Sequence, residues 1–262
     1  MNSWSRNRKR IILSILIFVL IVLIGIPTYL LFYKAPTCFD GKMNGDERGV
    51  DCGGSCQRLC TPDSLPLILK GDPRVLSVAS TTYEVVALLS NPNANASISR
   101  ARYTFKLFSS DSLVPVKAIT GEVYVPKGAE VALFEGPFVL EEGVVPVRAT
   151  LEWEPGTLIW EKDGQDTPAL NLIASEFTRL ESSPRLTALI TNPNLFSVSN
   201  VDLVALLYDE TGSIFAAGRT FIEALAPGEE TPALFTWPRP LPGDVVEVEV
   251  VIRVLPDRRF LR

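Results

Sequence analysis

The residues of this 262-residue chain with the most chemistry to offer crowd into "CFDGKMNGDERGVDCGGSCQRLC", which holds all four cysteines, Cys38, Cys52, Cys56 and Cys60. An even set packed this closely suits two disulfides, with three pairings open. Zinc is the competing use. Its ligands usually come in pairs two to four residues apart, whereas thirteen residues separate Cys38 from Cys52. The acidic residues between them hold a second pattern. With Asp40 as position 1 of a calcium loop, Asn44 is 5, Gly45 is 6, Asp46 is 7 and Asp51 is 12. Such a loop wants oxygen ligands at 1, 3 and 5, glycine at 6, a carbonyl at 7 and an acid at 12. Lys42 at position 3 cannot ligate, and helix-forming flanks are missing. The favoured reading is a glycine-rich, disulfide-tied turn whose Asp and Asn side chains cap their own backbone. Calcium at Asp40, Asn44, Asp46 and Asp51 is the alternative.

Elsewhere the chain offers little for catalysis. It contains no histidine, which removes the commonest general base and metal ligand. Nucleophile elbow, P-loop and dinucleotide fingerprint are all missing. Asp111, Asp209, Glu210, Glu229 and Glu230 fall at expected turns, where solvation is the ordinary explanation. Two carboxylates suffice to hydrolyse a glycoside, but nothing in the sequence sets two of them across a cleft. No catalytic residue is therefore expected, and no cofactor apart from the calcium alternative.

The cysteine stretch resembles a motif of bacterial secreted and surface proteins, C-x-D-G-x-x-N-G-x-E-x-x-x-D-C-G-G-x-C. It matches at Asp40, Gly41, Asn44, Gly45, Glu47, Asp51, Gly53 and Gly54. That resemblance implies a bacterial exported protein and names no activity. The chain's opening agrees. Ile11 to Tyr33 is a charge-free apolar run, long enough as a helix to cross a bilayer. Pro27 is tolerable near its outer end, and Tyr29 and Tyr33 sit where an aromatic belt would lie. Arg6, Arg8, Lys9 and Arg10 precede it and Lys34 alone follows, which keeps residues 1–10 in the cytosol and sends the remainder across. The rival is a cleaved signal peptide, whose apolar region is normally shorter and ends in a small-x-small site. An uncleaved single-pass anchor in the plasma membrane is favoured, which places the cysteines where disulfides persist.

From Ala35 onward 20 basic residues face all 30 acidic ones, a net charge of −10. A body of that sign repels phosphate backbones, so nucleic acid is excluded as a partner class. Its length suits one to three domains, and the body spells one pattern twice. "ALLSNPN" returns as "ALITNPN", with Asn91 and Asn192 101 residues apart; "ARYTFKLFSSD", "VPKGAEVALF" and "GVVPVRATLEW" return as "VDLVALLYDETG", "LAPGEETPALF" and "GDVVEVEVVIRV". Each copy alternates with period two: Tyr103, Phe105 and Leu107 against Arg102, Thr104 and Lys106; Val246, Val248 and Val250 against Glu247 and Glu249. One buried and one wet face mark antiparallel sheets, and about seven strands in ~100 residues suit an immunoglobulin-like sandwich. Asn-Pro-Asn ends a strand and turns a corner.

The repeat resembles the FxLYD domain and the sandwich of late-embryogenesis-abundant type 2 proteins. The carrying residues are Phe105-Lys106-Leu107-Phe108-Ser109 and Ala205-Leu206-Leu207-Tyr208-Asp209, with later turns at Pro126-Lys127-Gly128 and Pro227-Gly228-Glu229. The resemblance implies mostly non-catalytic extracytoplasmic modules.

The expected architecture is therefore mainly β: one transmembrane helix (11–33), a small disulfide-rich segment (38–60) and two tandem immunoglobulin-like antiparallel β-sandwiches (65–154 and 168–256). A linker (155–167) joins the sandwiches, with Trp160 expected to pack between them. The expected function is a membrane-anchored module presenting its sandwiches to a protein partner in the cell envelope. The alternative is a carbohydrate-active or ligand-binding surface protein using the cleft between the copies, which paired acids and aromatics such as Trp153 and Trp160 would favour.

Overall fold

The structure, a computed structural model, describes residues 3–32, 37–110, 112–162, 167–178 and 182–256. Tyr33, Lys34, Asp111 and the linker centre 163–166 lie outside the described residues. The chain forms two compact units, Met1–Gly54 and Ser55–Arg262.

The first unit opens with α1 (Ser3–Phe32). It starts eight residues before the charge-free run, because Arg and Lys are good helix formers and extend the apolar helix backwards. Its span Asn7–Tyr29 is long and apolar enough to cross a membrane and is nowhere buried. Only a helix or a closed barrel satisfies its own backbone in lipid, and Pro27 inside the last turns forgoes one of those bonds. With the disulfides, this helix fits a membrane-anchored or exported protein.

The regular structure of the second unit is almost all strand. Its first copy holds β1 (Ile68–Leu69), β2 (Arg74–Ser77), β3 (Thr82–Ser90), β4 (Ala96–Phe108), β5 (Lys117–Val125), β6 (Glu130–Val139), β7 (Arg148–Trp153) and β8 (Trp160–Lys162). The second holds β9 (Asn171–Thr178), β10 (Arg185–Thr191), β11 (Val198–Tyr208), β12 (Ile214–Leu225), β13 (Glu230–Thr236) and β14 (Glu247–Val254). All pairings are antiparallel. In copy one, β6 lines the whole of β3 while β1 and β2 share its other edge, and β4 lies between β5 and the pair β7 and β8. In copy two, β10 lies between β9 and β13, and β11 between β12 and β14. Each pair of sheets closes on its own core: Val85, Leu89, Phe105, Leu107 and Leu133 in one, Leu186, Ile190, Leu203, Leu207 and Phe235 in the other.

Two expectations change. The first concerns the linker. Leu158 and Ile159 are partly exposed, but Trp160 is 7% exposed and belongs to the core of the first sandwich rather than to the space between the copies. It starts β8, which pairs with Ala96–Ile98 on one side. On the other side β8 meets the end of the cysteine segment: Leu59 N donates to Trp160 O and Lys162 N to Gln57 O, each at 2.8 Å. A wide apolar ring finds more area to bury in an existing core than in a joint.

The second concerns the wet face. β3 and β11 are buried on both faces over most of their length. A third apolar cluster explains this. Leu76, Val86, Leu88, Ala132 and Phe134 of the first sandwich pack on Val204, Leu206, Ile214, Ala217 and Val251 of the second. The copies therefore meet sheet against sheet, β2–β3–β6 upon β12–β11–β14. The outer face of β5–β4–β7 does follow the expected alternation. It carries crossing ion pairs, Arg100–Glu122 and Lys106–Glu152 at 2.6 Å and Arg102–Glu154 at 3.1 Å.

Candidate functional site

The acidic loop is built by its glycines. Gly54 has φ +55°, and a Cβ there would stand 2.0 Å from the Asp46 carbonyl oxygen, so no other residue fits. The closed loop brings the expected calcium residues together, chiefly through their own backbone. Asp51 accepts the Asp40 amide at 3.0 Å and the Gly41 amide at 3.1 Å. Asp40 accepts the Lys42 amide at 3.0 Å and the Asn44 side-chain amide at 2.9 Å. The Asn44 bond is the main reason the Asp40 carboxyl sits below its ordinary range. Asp46 gives its backbone to the contact with Gly54. Asn44 Oδ1 is buried without a hydrogen-bond partner, the kind of acceptor that a water or a cation satisfies. All four cysteines are in disulfides, so none is a thiolate ligand.

The repeated Asn-Pro-Asn is a corner held by a buried polar knot. Asn192 is wholly buried; its Nδ2 donates to the carbonyls of Phe196, Leu225 and Ala226 at 2.9–3.1 Å, and its Oδ1 accepts Asn194 N and Nδ2. Asn91 does the same for Ala96 and Pro126, with Asn93 as its local partner. The turn acids cap as well. Asp209 accepts the Thr211 hydroxyl and the Thr211 and Ser213 amides, which lowers its pKa, and Glu229 accepts the Ala226 amide.

Where the two sandwiches meet, two hollows of about 440 and 520 Å³ open beside the apolar contact. Glu84 lines both, as do Trp237 and Pro238. Glu84 sits where the β3–β6 register slips, packed on the backbone of Gly136. Burial pushes its carboxyl up to about 7. Asp202, on the wall of one hollow, is 2% exposed and clamped: Arg219 Nε reaches Oδ1 at 2.6 Å and Arg253 Nη2 reaches Oδ2 at 2.5 Å. Both carboxylate oxygens of Asp202 are thus taken by guanidiniums. Of the rings beside these hollows, Phe221 is 53% exposed, whereas the tryptophans are engaged. Trp237 stacks on Phe177 and donates Nε1–H to Ala217 O at 2.8 Å. Trp153 meets Tyr103 edge-on, and Trp160 is core. Sequence reasoning missed Glu84 and Asp202. Arg102 stands at the position equivalent to Asp202, and that swap of sign between copies was the available signal.

No protein-family model and no curated protein matches this chain. Among solved structures it is weakly similar to a β-glucuronidase of Bacteroides uniformis, at 12% identity over 70% of this chain and 25% of that one, with a TM-score of 0.28. It is also weakly similar to a transglutaminase of red sea bream, at 12% identity over 72% of this chain and 31% of that one, with a TM-score of 0.21. The chain thus spans a third or less of either protein, and likeness at this level carries no argument about activity.

Proposed function

We propose that the chain is a membrane-anchored, non-enzymatic module of the plasma membrane, its N-terminus cytoplasmic and its paired sandwiches presented outside for protein contact in the cell envelope. The observation that carries this reading is the junction between the copies. It is closed by apolar packing, and its most buried acid is neutralised by two arginines. The cystine loop is then a structural turn, since Asp40 and Asp51 already accept the loop's own donors. A ligand-binding cleft is the second reading, favoured by Glu84 in its hollow. Phe221, exposed on the wall of the other hollow, adds an aromatic ring to that reading. A reporter fused after Arg262 should be active outside the cytosol and silent within it, and cytosolic activity would overturn the topology. Purified from native membranes, the full chain should carry an envelope protein in near-stoichiometric amount; a chain that comes away alone overturns the scaffold reading.

A further inference from the structure

Phe39, Met43 and Val50 are 90, 62 and 55% exposed. Apolar side chains bared singly are ordinary, but these three are each next in sequence to residues of one small knot of hydrogen bonds. Phe39 adjoins Asp40 and Val50 adjoins Asp51, the two residues joined by the Asp40 amide and the Asp51 carboxylate. Met43 lies between Lys42 and Asn44, which both donate to Asp40. The knot and the disulfides hold the loop closed, so it cannot refold to cover its own apolar side chains.

The tether limits what lies within their reach. Phe39 follows Phe32, the last residue of α1, by seven peptide links. Whatever path the chain takes, it lies within about 25 Å of the helix end. If α1 spans a bilayer, as the reading above holds, the lipid–water interface is within that reach. Residues 37–54 carry four acids against two bases, so anionic lipid offers the loop no attraction. Aromatic and thioether side chains instead favour the interface through apolar area. We propose that the cystine loop rests on the membrane, with Phe39 and Met43 inserted in the lipid interface and Val50 beside them. The loop then fixes the chain to the surface at a second point.

The test uses the full chain in phosphatidylcholine nanodiscs, with Phe18, Phe39, Met43 or Asp46 replaced in turn by photoreactive p-benzoylphenylalanine. Intact mass first confirms that both disulfides have formed in each variant. After irradiation, lipid adducts at 39 and 43 should come within about threefold of the yield at 18 and well above that at 46. Adducts at 18 with none at 39 and 43 would overturn the proposal and leave the anchor standing. Cross-links to protein at 39 and 43 would overturn it in favour of a docking face. If 18 also fails to label lipid, the anchor itself is wrong and the proposal falls with it.

Discussion

Glu84 sets a pH dependence whose sign runs against the usual behaviour of acidic residues. Its carboxyl is ordinary near 4.5 in an open chain and rises to about 7 in the folded one, because burial penalises the charge. The folded state therefore holds a proton that the unfolded state has lost between those values, and stability falls as pH climbs from about 4.5 through 7. The other charged groups lining its hollows are Arg74, Asp202, Arg219 and Arg239. Asp40 and Asp209 act in the opposite sense. Their lowered carboxyls stabilise the fold at neutral pH, and that contribution disappears in acid, below their ordinary value of 3.8. The melting temperature should thus decline between pH 5 and pH 8, and Glu84→Gln should flatten that decline. An unchanged slope in the variant would assign the dependence to some other group.

At the scale of the element, the corners hold the sheets in register. Asn192 gives three carbonyls their partner and receives two donors from Asn194. Asn192→Ala strands several of these groups out of water and should cost about 3 kcal/mol in urea unfolding. Asn91→Ala should behave alike, and a loss below about 1 kcal/mol in either would mean that water replaces the amide. These corners were legible in the sequence because asparagine and proline act locally, within a few residues of where they stand. The alternation of β4 was legible for the same reason, since the face of Phe105 is set by its immediate neighbours. β8 was not. Three residues show no period, and Trp160 takes a strand conformation because Ile98 and Leu59, far away in sequence, offer it edges. Glu84 was equally hidden, since its burial follows from a register slip opposite Gly136.

In the molecule as a whole, the two copies are alike in strand order and unlike in their outer faces. Val204 and Leu206 occupy the positions that Thr104 and Lys106 occupy in the first copy. The former pair is buried against the other sandwich, and the latter lies on the polar face. Burying a side chain such as Leu206 contributes roughly 1.5–3 kcal/mol, and a lysine in its place would add an unpaired charge. Giving the second copy the residues of the first, Val204→Thr with Leu206→Lys, should split a single calorimetric transition of the solubilised chain into two. Lys106→Leu, outside the contact, should leave that transition single. A single unshifted transition in the double variant would show that the copies are coupled by something other than this face. The expectation of one wet face failed at these strands because period two reports which face is polar, and neither β3 nor β11 has a polar one over its central residues.

Because β2–β3–β6 of one copy meets β12–β11–β14 of the other, the contact joins unlike surfaces and has no twofold axis. Repeated, such an operator builds a ring or a filament, since each added sandwich brings another adhesive face. Among the described residues this contact is made once. The sheet corresponding to the adhesive one is covered in crossing cations and anions at Arg100, Arg102 and Lys106, while Thr187 replaces Val86 at the opposite end. The face that is adhesive in one copy is thus charged in the other, which confines the apolar sheet-on-sheet contact to the joint between them.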